Sequence, residues 1–118
     1  QGRRGETYNI GGNNEWANLD VVNLLCELID ARFADDKTLA SRFPDSPCAK
    51  GESAKSLITF VIDRPGHDTR YAINASKISS ELGYDPIEDF DSGLNKTVDW
   101  YLTNEAWWRS IQDGSYRQ

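Results

Sequence analysis

The sequence has few of the residues that build metal sites and covalent active sites. Among 118 residues there are one histidine, two cysteines and no methionine. Cys26 and Cys48 form no Cys-x-x-Cys pair, so a zinc finger is excluded. A Gly-x-Ser-x-Gly segment is absent, and no tyrosine is followed four residues later by lysine. We expect Cys26 to be a core residue and both cysteines to be reduced, a disulfide being the alternative.

The chain also lacks an excess of positive charge and a long apolar run. Its 19 acidic residues outnumber 13 basic ones, which gives a net charge of −6. An acidic protein is repelled by nucleic acids and by anionic membranes, and no apolar stretch is long enough for a bilayer. We therefore expect no nucleic-acid partner, no membrane partner and a cytoplasmic location. Because the first residue is Gln1, we also expect a piece of a longer polypeptide.

Helical periodicity is the main structural signal. Apolar residues spaced by three and four predict a helix from Asn18, its expected N-cap, to about Phe33. A second predicted helix follows Asn74 as its cap and ends at Gly83. A third starts with Asp91 or Ser92 as the cap, and a fourth covers residues 105–111. The aromatic residues of this end are expected to form core and docking surface; they are Trp100, Tyr101, Trp107 and Trp108.

Strand signals are fewer. Residues 6–10 and 71–73 predict short extended pieces, and residues 57–62 predict the strongest strand. That strand is apolar on both faces, so we expect both faces to be covered. Residues 35–56 are rich in serine, alanine and charge and predict a long exposed loop. The fold class is therefore α+β, mainly α, in one domain over residues 1–118, with too few strands for an independent sheet.

A Pro-Gly turn within residues 63–71 is the clearest candidate binding motif. Pro65 fixes φ at the second position of a type II turn, and Gly66 accepts the positive φ of the third. The turn would bring Arg64 and His67 together, and two such donors suit a diphosphate. The alternative is a surface turn whose charges pair with neighbouring aspartates. The cationic residues that can form the anion site are Arg64, His67, Arg70 and Lys77.

The Gly11-Gly12 pair precedes the first predicted helix but is not a dinucleotide fingerprint, because the third glycine is missing. The N-terminus of that helix can attract an anion through its N–H groups. Asp20 in the first turn opposes this, since it would repel a phosphate. The Asn18 side chain has two interpretations, a helix cap or an amide donor to a ligand.

Several motifs together resemble one family. Residues 5–12, 18–22, 58–61, 63–68, 71–73, 76–78, 81–84 and 97–102 resemble the C-terminal part of the dTDP-glucose 4,6-dehydratases, which are extended short-chain dehydrogenases/reductases. The Arg-Pro-Gly-His-Asp run at residues 64–68 is the most specific of these motifs. Asn74 departs from the aspartate frequent there, and residues 35–55 carry no transferable motif.

The resemblance implies a fold and a role. It implies a C-terminal substrate-binding subdomain of an enzyme that converts dTDP-glucose to dTDP-4-keto-6-deoxyglucose by oxidation, dehydration and re-reduction. NAD and the catalytic groups would belong to an N-terminal Rossmann domain absent here, so we expect no catalytic, cofactor or metal residue in this chain and no activity from it alone. The parent would be a homodimer. The implied substrate-binding residues are Asn18, Asp63, Arg64, Pro65, Gly66, His67 and Tyr71.

Two alternatives stay open at this point. The parent can be a dehydratase or epimerase for another nucleotide sugar of the same superfamily, because the pocket that selects the base would lie outside the chain. The chain can also be a stand-alone anion-binding interaction module.

Overall fold

A computed structural model describes residues 2–66 and 72–117. Five α-helices lie in these ranges: α1 Asn18–Asp35, α2 Thr38–Arg42, α3 Ser76–Leu82, α4 Phe90–Thr103 and α5 Glu105–Gln112. Three 3₁₀ helices lie in the same ranges: Pro47–Lys50 and Ala54–Leu57 between α2 and α3, and Ser115–Arg117 after α5. Within the described residues no strand is formed. The mainly helical character predicted from the sequence is confirmed, and the β component is not seen.

The start of α1 differs from the prediction by one residue. Ala17 is the N-cap, with φ −68° and ψ 145°, and no side chain caps the helix. Asn18 is already the first helical residue, so its predicted capping role is wrong. The backbone turns into the helix before Asn18, and that residue's side chain no longer occupies the position from which a cap reaches the free N–H groups.

The other helix ends follow the same chemistry with small shifts. The Asp89 carboxylate accepts the N–H of Ser92 at 2.7 Å and caps α4, so the predicted cap at Asp91 or Ser92 is wrong. The Asn74 side chain accepts the N–H of Ser76 at 2.9 Å, although Ala75 is the N-cap of α3. Gly83 ends α3 in the left-handed region at φ 66°, as predicted.

Helix α1 packs against the Ala54–Leu57 helix and against α4, and α4 also contacts α5. Cys26 of α1 and Val98 of α4 are buried, and both cysteines are free thiols, so the predicted core position of Cys26 is confirmed. The Arg32 guanidinium adds a polar clamp at this contact. Its Nε donates to Oδ1 of Asp99 at 2.6 Å, and its Nη2 donates to Oδ1 of Asn95 at 3.1 Å.

This clamp predicts a small acid-dependent loss of stability. The hydrogen bond and charge of Arg32 hold the pKa of Asp99 below its ordinary value. A lowered folded pKa stabilises the protein above the unfolded pKa, near 3.8, and the contribution disappears as the pH falls through the folded value. Because both groups are partly solvated, we expect Asp99→Asn to lower the free energy of unfolding at pH 7 by only about 0.5–1 kcal/mol.

The measurement is urea unfolding at pH 7 and at pH 2.5, with Asp85→Asn, which changes an exposed carboxylate, as the control. The difference between wild type and Asp99→Asn should shrink at the lower pH. An equal difference at both pH values would contradict an ionic contribution from Asp99.

Residues 35–56 are folded, so the prediction of a long loop is wrong. This stretch contains α2 and the Pro47–Lys50 helix, and the Ala54–Leu57 helix begins within it. Leu39 is 2% exposed and Ala54 is 8% exposed. The serines that favoured a loop act as caps, since Ser46 Oγ accepts the N–H of Cys48 at 3.3 Å and Ser53 Oγ accepts that of Lys55 at 3.1 Å.

The two strand predictions that lie wholly in the described ranges are wrong for this structure. Residues 6–10 form no strand pairing. Residues 58–63 follow the 3₁₀ helix that ends at Leu57, and they also form no strand pairing. Phe60, Val61 and Ile62 are 82%, 82% and 101% exposed, so the expected cover on both faces is absent here. An extended segment becomes a strand only when a partner satisfies its backbone donors and acceptors. Of the third piece, residues 71–73, Tyr71 lies outside the described residues.

Candidate nucleotide-sugar site

Two adjoining hollows lie between the N-terminal segment and the residues before α3. One, of about 500 Å³, is lined by residues 11–15 and Ile73. The other, of about 540 Å³, is lined by residues 8–10 and 72–74. Ile73 belongs to both walls. A Cβ on Gly11 would lie 3.0 Å from the Ile73 side chain, so glycine permits this close approach.

Helix α3 holds the N-terminal segment in place. Lys77 Nζ donates to Glu6 Oε2 at 2.6 Å and to the Thr7 carbonyl at 3.1 Å, and it lies 4.8 Å from the centre of the Tyr8 ring. The Tyr8 hydroxyl donates to Glu81 at 2.9 Å. Glu6 raises the pKa of Lys77, and Lys77 lowers that of Glu6. The Lys77 charge is therefore compensated by Glu6, and its predicted place in an anion site is not supported.

Asn18 lies at the exposed N-terminus of α1, where the N–H of Asp20 in the first turn bonds to the Ala17 carbonyl at 3.0 Å. Trp16, just upstream, stacks on Phe90 with ring centres 4.6 Å apart, which fixes the direction from which the chain enters α1. Since no side chain caps this helix, the structure removes the capping interpretation of Asn18. The interpretation that remains is an amide donor to a ligand, which stays a prediction.

The Pro-Gly turn is present in the described part of its motif. Gly66 has φ 75°, as the third position of a type II turn requires. The N–H of Arg64 donates to Oδ1 of Asp63 at 2.8 Å, and the Arg64 side chain is exposed. His67 and Tyr71 lie outside the described residues, as do Arg70 and Asp68, so the predicted approach of His67 to Arg64 stays a prediction.

The structure brings together residues 8–15 with 72–74, and it does not place Asn18 or Arg64 in the wall of either hollow. Ile73 was missed as a lining residue by sequence reasoning. Its signal was its position in the 71–73 motif, which predicted only a short extended piece. Residues 2–66 and 72–117 contain no cluster of three or more potential metal ligands and no helix long and apolar enough to cross a membrane.

Comparison with known proteins identifies the class. A family model described as GDP-mannose 4,6 dehydratase matches residues 2–97, so the chain belongs to that family. Within it, the curated relatives are dTDP-glucose 4,6-dehydratases. The chain is 49% identical over 117 residues to the enzyme so named from Neisseria meningitidis, and 49% identical over 116 residues to that of Escherichia coli. The predicted resemblance is confirmed.

The similarity covers only part of those proteins. It takes in 99% of this chain but 30% of the Neisseria enzyme. A crystal structure of dTDP-glucose 4,6-dehydratase from Bacillus anthracis, in complex with NAD, superposes with a TM-score of 0.61 at 38% identity. That match covers 88% of this chain and 26% of the Bacillus chain. The chain thus spans about a third or less of its relatives' length.

Proposed function

We propose that the chain is the C-terminal, nucleotide-sugar-binding part of a dTDP-glucose 4,6-dehydratase. The full-length enzyme would convert dTDP-glucose to dTDP-4-keto-6-deoxyglucose, a lyase reaction. The observation that carries the proposal is the 49% identity to enzymes of this name across 99% of the chain. The substrate-binding residues of this part would be Asn18, Asp63, Arg64, Pro65, Gly66, His67 and Tyr71, with Arg64 and His67 on the diphosphate.

In the full-length enzyme, NAD would bind to a Rossmann domain outside this chain. The described residues do not fit a dinucleotide site, because no strand precedes Gly11-Gly12 and the third glycine is missing. Asp20 also lies in the first turn of α1, where it disfavours a pyrophosphate. This chain would therefore supply substrate binding and would leave hydride transfer to the other domain.

Exposed apolar surface supports a covering domain. Three consecutive residues, Phe60, Val61 and Ile62, are almost fully exposed. In addition, an apolar hollow of about 320 Å³ opens between α1 and α4. Water-exposed surface of this kind is costly unless another element covers it. The Cα radius of gyration of 18.6 Å exceeds the about 13.5 Å typical of a compact domain of this length. A Rossmann domain that covers residues 58–62 would account for the exposure of their apolar side chains.

A second candidate has specific support. The matching family model is described by a GDP-linked sugar, whereas the named relatives act on a dTDP-linked one. A GDP-sugar dehydratase of the same superfamily is therefore the alternative for the full-length enzyme.

The test is an assay of the full-length enzyme with dTDP-glucose, UDP-glucose and GDP-mannose. Loss of one water is followed by mass spectrometry. We expect turnover of dTDP-glucose at a kcat/KM at least about 100-fold above that of GDP-mannose, because a thymine pocket leaves polar groups unpaired with guanine. The excess over UDP-glucose should be about 10-fold to 200-fold, because uracil lacks only the methyl group of thymine. Turnover of GDP-mannose alone would replace the proposal by the alternative. The isolated 118-residue chain with added NAD serves as a control and is expected to give no product.

A further inference from the structure

The Asp30 carboxylate of α1 gathers three donors from one distant stretch of chain. Its Oδ1 accepts the N–H of Ala54 at 2.8 Å and the thiol of Cys48 at 3.2 Å. Its Oδ2 accepts the Ser53 hydroxyl at 2.5 Å. These donors come from the Pro47–Lys50 helix and from the start of the Ala54–Leu57 helix. One carboxylate therefore ties both 3₁₀ helices to α1.

The chemistry of the three partners suits a permanent anchor. The hydrogen bond from Ala54 and those from the two side chains lower the pKa of Asp30, which keeps it an acceptor. Burial and the neighbouring carboxylate raise the pKa of the Cys48 thiol, which keeps it a donor. Lys55, whose charge also lowers the pKa of Asp30, is paired with Glu27 at 2.7 Å. Ala54 is buried, so loss of Asp30 would leave its N–H without this partner.

The anchored helix leads directly into the segment that carries the Pro-Gly turn. Ala54–Leu57 ends where residues 58–66 begin, and those residues have no ladder of their own. The Asp30 contacts therefore fix the chain at Ala54, ten residues before Arg64. We propose that Asp30 is a positioning residue for substrate binding. It holds the start of the 58–66 segment against α1 and so influences where Arg64 meets the diphosphate. This inference rests on the proposed function.

The experiment compares three variants of the full-length enzyme. Asp30→Asn keeps the size of the side chain but replaces one of its two acceptor oxygens by an NH₂ group, which cannot accept a hydrogen bond. Ser53→Ala removes one donor to Asp30 together with the acceptor of the Lys55 N–H, and it is the second variant should Asp30→Asn fold poorly. Glu52→Gln is the matched control, because it changes an exposed carboxylate of the same stretch to its amide. Hydrogen exchange of residues 47–57 and the steady-state constants for dTDP-glucose are measured for each.

We expect Asp30→Asn to speed exchange at residues 47–57 and to raise KM by about threefold to tenfold, with kcat within about twofold of wild type. Ser53→Ala should show the same pattern with a smaller rise, and Glu52→Gln should change neither quantity. A general loss of folded enzyme would instead lower kcat at unchanged KM, which would overturn a positioning role.

The remaining outcomes are also decisive. Unchanged exchange in Asp30→Asn would show that Asp30 is not an anchor. Faster exchange with an unchanged KM in both variants would show an anchor without influence on binding and would overturn the inference. If wild-type enzyme neither binds nor converts dTDP-glucose, the proposed function fails, and the exchange data still decide whether Asp30 anchors the stretch.

Discussion

Arg64→Ala in the full-length enzyme is expected to raise KM for dTDP-glucose by about tenfold to 100-fold. A charge-assisted contact to phosphate contributes about 1.5–3 kcal/mol, and each 1.4 kcal/mol is about a factor of ten. The Arg64 side chain is exposed at the end of an unpaired segment, and its backbone N–H is held by Asp63. The guanidinium is therefore accessible to a ligand, at the surface where we place the diphosphate.

Arg64→Lys separates charge from geometry, because lysine keeps the charge and loses the planar fork. We expect it to recover only part of the affinity. Arg117→Ala, in the C-terminal 3₁₀ helix, is the control for loss of a surface arginine and should leave KM unchanged. An unchanged KM in Arg64→Ala would mean that Arg64 serves only the turn. His67→Ala tests the other proposed partner of the diphosphate by the same measurement.

Leu39→Ala is expected to lower the free energy of unfolding of the chain by about 2–4 kcal/mol. Leu39 is 2% exposed, and α2 packs against α1 and the Pro47–Lys50 helix, so truncation opens a cavity at their contact. Only six apolar residues of the described ranges are buried, so Leu39 alone is a large part of the core. The measurement is urea unfolding followed by tryptophan fluorescence.

Ile87→Ala is the matched control for Leu39→Ala, because it removes an aliphatic side chain that is 96% exposed. Its unfolding midpoint should stay close to that of wild type. If Leu39→Ala shifted the midpoint no further than Ile87→Ala, residues 35–56 would behave as the loop that their composition predicts, and the packing of α2 would not contribute to stability.

Helix prediction from the sequence succeeded where apolar residues recur along a single helix. The first helix, the glycine that ends α3 and the helix over residues 105–111 all follow from local pattern. The caps were less accurate, since Ala17 and Asp89 hold positions assigned to Asn18 and to Asp91 or Ser92. A cap depends on where the backbone turns, which neighbouring residues decide as much as the capping residue itself.

The sequence predicted the motifs of the candidate site but not the residues that line its hollows. The Pro-Gly turn and the positive φ of Gly66 follow from residue type alone. Ile73 and its close contact with Gly11 do not, because they join segments about sixty residues apart in sequence that no local pattern connects. Asp30 is missed for the same reason: its partners lie in a stretch whose serines and prolines predict a loop.

The sequence by itself determined the family, the helices with strong periodicity and the Pro-Gly turn, because each depends on residues that are contiguous in the chain. Only the tertiary structure decided that residues 35–56 are folded, that Lys77 pairs with Glu6, and that residues 57–62 have no strand partner in the described chain. The physical reason is that these features depend on which groups meet across long sequence separations. A carboxylate such as Asp30 can order a polar stretch, and an apolar segment stays unpaired when no second backbone is beside it.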